Sequence, residues 1–414
     1  MYDIAIIGAG AAGIRCAQKA LHEGLKVVVF DQSPDTFGGI CLNRGCIPTK
    51  FLIQKSKISK NWKEALVQSR EIVKKIKNPL LSHLETQGVQ FVWARPRLID
   101  KNNIQVDNHR FDAHNIVIAT GSVGQRIFDH PKAFVAEELL VKPDLADNIL
   151  IVGAGYIGIE LASLLSDYGK KVTLVEKEDN ILSSYEPSLS NRLRVILEKK
   201  GIVIETSKSI TNEDLDDFDL VLLATGRCPA TENLGLEKIG IKLDERGWIK
   251  TDSSMRTNIN NIYACGDVNG KKFLAYTAEY QAYLCIQNII GKSEAEDYYA
   301  LPECVFSSPQ IAKVGITKEE ARQKNIKHSV LRSNFLKFSS SCVYDDEQGF
   351  MEVLVGEDDK IIGAAIISVQ AAELINILSL CIKNNLTLKD LQKCLFTHPT
   401  LSEVIPLFSR SFFE

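Results

Sequence analysis

The chain contains the same short turn twice. Gly8-Ala9-Gly10-Ala11-Ala12-Gly13 follows the β-branched run at 2–7, and Gly153-Ala154-Gly155-Tyr156-Ile157-Gly158 follows Ile149-Leu150-Ile151-Val152. Each turn leads into an amphipathic helical pattern, reaching about Glu23 in the first case and about Tyr168 in the second. A second strand then ends on an acid: Val27-Val28-Val29-Phe30 on Asp31, and Val172-Thr173-Leu174-Val175 on Glu176. That order predicts two βαβ units on parallel sheets. Gly8 and Gly153 allow the tight turn, Gly10 and Gly155 let the backbone approach a pyrophosphate, and Gly13 and Gly158 let helix close on strand. Phosphate then rests on a helix N-terminus. Asp31 and Glu176 are placed to hold ribose hydroxyls. Glu176 also repels a 2′-phosphate, which favours NAD over NADP at the second site, while Lys177 acts against that preference.

Two further strand ends repeat, at Ile116-Val117-Ile118-Ala119-Thr120-Gly121 and Leu220-Val221-Leu222-Leu223-Ala224-Thr225-Gly226. A third strand, Asn261-Ile262-Tyr263-Ala264-Cys265-Gly266, delivers Asp267 to its end, where a carboxylate can meet a ribityl hydroxyl. The helix that follows, from about Leu274 to Ile290, aims its N-terminal dipole the same way. If the chain returns to the first domain here, the expected division is a discontinuous first nucleotide-binding domain at 1–145 and 259–300, with a second nucleotide-binding domain inserted at 146–258. From 301 to 414 short strands and helices predict an α+β module with an antiparallel sheet, whose apolar faces suit a subunit interface. Residues 54–90 (largely helical and basic) and 122–148 read as connecting elements.

Between the first βαβ unit and the rest lies Gly38-Gly39-Ile40-Cys41-Leu42-Asn43-Arg44-Gly45-Cys46-Ile47-Pro48-Thr49-Lys50. In an ideal helix, residues five apart point about 140° away from each other and differ in height by about 7.5 Å. A disulfide needs Cα atoms within about 7 Å. Cys41 and Cys46 can therefore pair only across a distorted turn, which Gly45 permits, and Pro48 suits the first turn of a new helix. A helix N-terminus at Cys46 stabilises its thiolate, and Lys50 adds a cation one turn on. A zinc site is not expected, because no second cysteine pair or His-Cys cluster completes four ligands.

The chain of 414 residues has ten cysteines, 45% apolar residues and a net charge of -3. Ten cysteines are too few for a disulfide scaffold, and a cytoplasmic setting is expected, where a close pair is catalytic more often than structural. Cys16, Cys265, Cys285 and Cys381 sit in apolar runs and read as buried, inert thiols. The charge balance gives no basis for nucleic acid as a partner. No apolar run approaches the roughly 18 residues of a membrane span, and no signal or transit peptide is expected. Near the C-terminal end, His398-Pro399-Thr400-Leu401-Ser402-Glu403 places an acid where it can orient an imidazole. Dithiol chemistry needs a base close to neutral pH, and the other six histidines sit in no comparable setting.

Taken together, these motifs resemble the flavin-dependent pyridine nucleotide-disulfide oxidoreductases over nearly the whole chain, and among them look most like the dihydrolipoamide dehydrogenases. The chain looks like a shortened form, with length missing after the dithiol and after Glu176. The resemblance implies two Rossmann-like nucleotide-binding domains and a C-terminal α+β dimerisation domain. It implies FAD across Gly8, Gly10, Gly13, Asp31, Gly121 and Asp267, with Ala275 near the flavin edge. It implies NAD at Gly153, Gly155, Gly158, Glu176 and Gly226. Cys46 would be the thiol against the flavin and Cys41 the thiol that meets substrate. Lys50 and Glu160 would form an ion pair beside the flavin, and His398 and Glu403 would act across a homodimer interface. The implied reaction oxidises dihydrolipoamide, borne by the carrier protein of a 2-oxo acid dehydrogenase or glycine-cleavage complex, with NAD⁺. Two alternatives stay open: NAD(P)H-dependent reduction of another low-molecular-weight disulfide, and a catalytically impaired flavoprotein.

Overall fold

The structure, a computed structural model, describes residues 1–410. It falls into two compact units. Residues 1–127, 137–145 and 225–296 make the first; residues 128–136, 146–224 and those from 297 onward make the second.

The first unit begins with β1 (Tyr2–Ile7), α1 (Ala11–His22) and β2 (Val27–Asp31), the two strands pairing in parallel. Ile4 to Ile7 and Val27 to Phe30 are buried without alternation, as strands covered on both faces require. Two short helices, α2 (Gly39–Arg44) and α3 (Cys46–Ser56), precede the long α4 (Trp62–Thr86). β3 (Gln90–Trp93) then adds to the outer side of β2. β4 (Arg97–Leu98), β5 (Asn103–Val106) and β6 (His109–Ile118) form an antiparallel meander, and the far half of β6 runs parallel to β1. β7 (Ser122–Gly124) follows.

The chain then passes into the second unit. β8 (Ala133–Val135), β9 (Asn148–Val152), α5 (Tyr156–Asp167), β10 (Lys171–Val175), α6 (Pro187–Lys199), β11 (Val203–Glu205) and β12 (Leu220–Leu223) build a parallel sheet ordered β11-β10-β9-β12-β8. β8 falls within the stretch read from sequence as connecting. Three residues carry no period, and only the pairing with β12 makes them a strand. Between β11 and β12 a single 3₁₀ turn, Glu213–Leu215, bridges the interval.

Residues 225–258 return to the first unit, whereas the sequence reading kept them with the second nucleotide-binding stretch to 258. The cause is apolar burial. Leu234, Leu236, Ile241 and Ile249 cover the sheet face formed by Ala5, Ile7, Val28 and Ile116, and β13 (Arg227–Pro229) pairs with β7. β14 (Ile262–Ala264) then takes the free side of β6 in parallel. α7 (Ala275–Ile289) lies along α1 on the opposite face, over Ile4, Ile6, Val27 and Val29. Cys16, Cys265 and Cys285 are fully buried there.

The C-terminal part of the second unit holds β15 (Glu303–Val305), β16 (Gln310–Gly315), α8 (Lys318–Gln323), β17 (His328–Asn334) and α9 (Ser339–Val343). β18 (Phe350–Gly356), β19 (Ile361–Ser368), α10 (Ala371–Lys383), α11 (Leu388–Lys393) and α12 (Val404–Arg410) complete it. The five strands form an antiparallel sheet ordered β15-β16-β19-β18-β17, with α10 packed on β16 and β19. Thr317 and Glu320 close a capping box at the start of α8. Among the described residues, no helix is long and apolar enough to cross a membrane.

Candidate functional site

At the first glycine turn, Gly8 has φ +104°, which a side chain would strain. A Cβ on Gly13 would lie 1.8 Å from the Gly8 carbonyl oxygen, so α1 closes on β1 only because position 13 is bare. Gly10 is the N-cap of α1 and no side chain caps that helix, leaving its first N–H groups for a ligand. Asp31 holds the turn: Oδ2 accepts from Ala9 N at 2.6 Å, and Oδ1 accepts from Gln32 N at 2.7 Å and from the Thr36 hydroxyl.

The opposite wall of this site comes from far along the chain. Asp267 accepts from the Ser122 hydroxyl, with Arg227 Nε 3.6 Å away. Burial pushes the Asp267 carboxyl above the usual carboxylate range, against the Ser122 hydrogen bond and the Arg227 charge. Gln281, fully buried on α7, accepts from Gly266 N at 2.7 Å and from Asn269 Nδ2 at 2.9 Å, which fixes the turn ahead of Asp267. Ala275 opens α7, whose N-terminus also lacks a side-chain cap. Gly121 has φ +75°, and the neighbouring Thr120 hydroxyl is buried without a hydrogen bond. Two uncapped helix starts, a bare turn and an unsatisfied buried hydroxyl fit an elongated dinucleotide with polar groups along its length.

The cysteines sit against this turn. α2 stops at Arg44 and α3 starts at Cys46, so Gly45 alone (φ −140°, ψ −117°) breaks the helix. A Cβ there would lie 2.9 Å from the Ile40 carbonyl oxygen and 3.2 Å from Cys41 Cα, and would force the two segments apart. Cys41 and Cys46 come within hydrogen-bonding reach. The hydrogen bond to Cys46 pushes the Cys41 thiol far above its ordinary value, aided by burial and by charge on Cys46 and opposed by Lys50. Of the two residues, Cys46 is exposed and Cys41 half-buried, and Cys46 opens α3, where a helix N-terminus favours a thiolate. Gly38 N donates to the Ala9 carbonyl at 2.8 Å, and a Cβ on Gly39 would meet Gly10 Cα at 2.9 Å. The cysteine helix therefore lies directly on the phosphate turn.

Sequence reasoning missed the residue that holds α2 in place. Asn43 Nδ2 donates to the carbonyls of Phe37 at 2.9 Å and Gly39 at 2.8 Å, and its Oδ1 accepts from Lys77 of α4. Asn43 stands out in sequence only as a polar residue between two cysteines.

The second glycine turn repeats the first within its own unit. Gly153 has φ +100°, and a Cβ on Gly158 would lie 1.8 Å from the Gly153 carbonyl oxygen. Gly155 N-caps α5 without a side-chain cap. Glu176 accepts from Ala154 N at 2.7 Å through Oε2 and from Glu178 N at 3.0 Å through Oε1. Beyond it, a cavity of about 220 Å³ is lined by Glu178, Asp179, Leu182 and Tyr185. Glu160, nearly buried on α5, accepts from Phe306 N at 2.9 Å. Gly226, with φ +119°, lies in the first unit, where its carbonyl accepts from Gln125 N at 3.0 Å.

In the C-terminal module, His398 Nδ1 lies 2.8 Å from Glu403 Oε2. Glu403 is buried and the His398 side chain is 69% exposed, so the carboxylate fixes one face of an imidazole whose Nε2 points away from it.

Two dinucleotide turns, a cysteine pair seated on one of them and a separate interface module define a class of redox protein. The chain belongs to the pyridine nucleotide-disulphide oxidoreductases: that family matches residues 2–282, and its dimerisation domain matches residues 301–407. It is therefore a flavoprotein disulfide oxidoreductase with Cys41 and Cys46 as the candidate redox pair, its cofactors are FAD and NAD, and the C-terminal match supports a homodimer. Among curated proteins, it is similar to the dihydrolipoyl dehydrogenase of Chlamydia trachomatis, at 31% identity over 97% of this chain and 95% of that protein. The dihydrolipoyl dehydrogenase of Geobacillus stearothermophilus is 32% identical over 96% of this chain and 93% of its own. Among solved structures, it is similar to the HOCl-induced flavoprotein disulfide reductase of Escherichia coli, with a TM-score of 0.91, 27% identity, and 99% of each chain covered.

Proposed function

We propose that the protein reduces a low-molecular-weight disulfide at the expense of NADH, through Cys41 and Cys46. The observation that carries this reading is the thiol pair itself: Cys41 and Cys46 come within hydrogen-bonding reach across Gly45, on a helix seated against the phosphate turn. Likeness across the full chain length to a flavoprotein disulfide reductase supports the direction of the reaction. Dihydrolipoamide oxidation, the first expectation from sequence, is the second reading, with a lipoyl-bearing carrier as partner; the names of the curated relatives favour it.

In the proposed cycle, Cys41 gives its proton to the imidazole and attacks one sulfur of the substrate. The first substrate thiolate leaves and takes that proton from Nε2 of His398, acting from the other subunit of the dimer and held by Glu403. Cys46 then attacks the Cys41 sulfur, so the second thiolate leaves, takes a proton from solvent, and the Cys41–Cys46 disulfide forms. The substrate has gained two electrons and two protons, and the enzyme dithiol has lost two electrons. FAD, when bound, relays the electron pair of NADH to that disulfide. FAD would be held by Gly8, Gly10, Gly13, Asp31, Gly121, Asp267 and the start of α7 at Ala275. NAD would be held by Gly153, Gly155, Gly158, Glu176 and Gly226. Lys50 and Glu160 are proposed as the charged groups of the reactive edge. Glu178 and Asp179, on the cavity beyond Glu176, add negative charge against a 2′-phosphate. A cytoplasmic setting suits a working dithiol.

One assay separates the two readings. NADH and NADPH oxidation is followed with glutathione disulfide, cystine and lipoamide, and NAD⁺ reduction with dihydrolipoamide. The proposal expects kcat/KM with a small disulfide and NADH to exceed that for dihydrolipoamide; turnover of dihydrolipoamide alone would establish the second reading. Cys46→Ser should remove the long-wavelength absorbance of a thiolate beside flavin, and Cys41→Ser should keep it without turnover. Mixing His398→Ala and Cys41→Ser proteins should restore up to about a quarter of wild-type activity, since half the dimers then hold one intact composite site. Full activity in a verified monomer would exclude the composite site.

A further inference from the structure

We infer that Lys77 and Asn43 form a bracket that sets the thiol–disulfide balance of the Cys41–Cys46 pair, an inference that rests on the dithiol reading above. α2 spans only six residues, lacks a side-chain cap and ends on the break at Gly45. A helix this short has little stability of its own, so outside contacts decide where Cys41 sits. Its buried side chain is Leu42, whereas α3, which carries Cys46, is anchored by Pro48, Thr49, Leu52, Ile53 and Ser56. The weaker anchorage belongs to the Cys41 side.

Asn43 compensates. Its amide spans the Phe37 carbonyl, in the loop before α2, and the Gly39 carbonyl of the first residue of the helix. Lys77 Nζ donates to Asn43 Oδ1 at 3.4 Å and to the Asp35 carbonyl at 3.1 Å. An ammonium can only donate, so its place at Oδ1 fixes the amide with Nδ2 toward the two carbonyls. The long helix α4 thereby holds the short one. The same loop reaches the ribose-side acid, since the Thr36 hydroxyl donates to Asp31.

The strength of a disulfide follows the effective concentration of its two thiols. A loosened α2 lowers that concentration, so the disulfide becomes easier to reduce, by about 30 mV for each tenfold change. The FAD-loaded protein is equilibrated in glutathione redox buffers, and free thiols are trapped and counted by mass spectrometry. Asn43→Leu should lower the equilibrium constant for the Cys41–Cys46 disulfide at least tenfold. Asn43→Asp should do as much, because a carboxylate would face the two carbonyls. Lys77→Met should lower it about threefold, and Lys77→Arg should restore it. Electron transfer from NADH to ferricyanide, which bypasses the dithiol, and the thermal midpoint report on the rest of the domain and should stay close to wild type. An FAD-loaded Asn43→Leu protein with an equilibrium constant within twofold of wild type overturns the bracket. So does a parallel loss of flavin and ferricyanide activity, which would make Asn43 a support of the whole domain. If the wild-type pair forms no disulfide at any buffer ratio, the dithiol reading fails and the bracket falls with it, an outcome distinct from a wild-type disulfide that Asn43→Leu leaves unchanged.

Discussion

The two glycine turns are near copies in geometry and differ in what stands behind them. In both, the third glycine is excluded from having a side chain by the carbonyl of the first, at the same 1.8 Å. In both, an acid at the end of the second strand accepts from the backbone N–H of the residue between the first two glycines, Ala9 in one case and Ala154 in the other. The carboxylates then diverge. Asp31 passes through Thr36 into the loop that carries the cysteine helix, while Glu176 returns to Glu178 two residues on. The first turn is thus tied through its acid to the loop that carries the cysteines, whereas the second is tied through Leu182 N and Glu178 N to segments beside its own sheet that carry no thiol. A cofactor that stays and a cofactor that comes and goes would call for that difference.

Substitutions can break or sharpen the comparison. The largest effect is expected from Gly13→Ala, because its methyl would have to displace the Gly8 backbone: the FAD-loaded fraction of purified protein, read from flavin absorbance, should fall more than tenfold. Gly158→Ala imposes the same clash at the second turn, yet flavin should stay bound while the KM for NADH rises more than tenfold. Asp31→Ala removes an acceptor used by two backbone N–H groups and a hydroxyl. At about 1.5 kcal/mol for such a bond to a charged group, FAD affinity should fall roughly tenfold, and disulfide turnover should fall further than NADH–ferricyanide turnover. Glu176→Ala should leave flavin and dithiol untouched and narrow the preference for NADH over NADPH several-fold. Preference for NADPH in the unmodified protein would show that Lys177 or another group governs that pocket. Loss of flavin in Gly158→Ala would erase the distinction between the turns.

Features written in contiguous residues are legible in the sequence itself. The glycine turns, their flanking strands and the Asp31 and Glu176 positions follow from local pattern, and the His398–Glu403 pairing follows from a five-residue separation. The break between Cys41 and Cys46 is legible too once the two are taken as a pair, because a continuous helix would hold them too far apart. What escapes such a reading is set by partners distant in sequence. Ala133 to Val135 are a strand only because β12 lies beside them. Residues 225–258 belong with the first unit because four aliphatic side chains find its sheet face, which no hydropathy pattern reveals. Asn43 acquires meaning from Lys77, 34 residues away, and Glu160 from the backbone of Phe306.

The pairing of β14 with β6 has a consequence for how the protein is made. β6 is complete at Ile118, yet its parallel neighbour arrives only with Ile262, and α7 only after Ala275. The inserted parallel sheet, by contrast, has all five strands once Leu223 is synthesised. At ribosomal speeds of about 5–20 residues per second, one side of β6 stays unpaired for roughly 7–30 s after it emerges. An unpaired, apolar strand side is a template for wrong association. The nascent chain therefore passes through a period in which the later-starting sheet can be finished while the earlier one waits, and its yield should depend on chaperones that shield that open side.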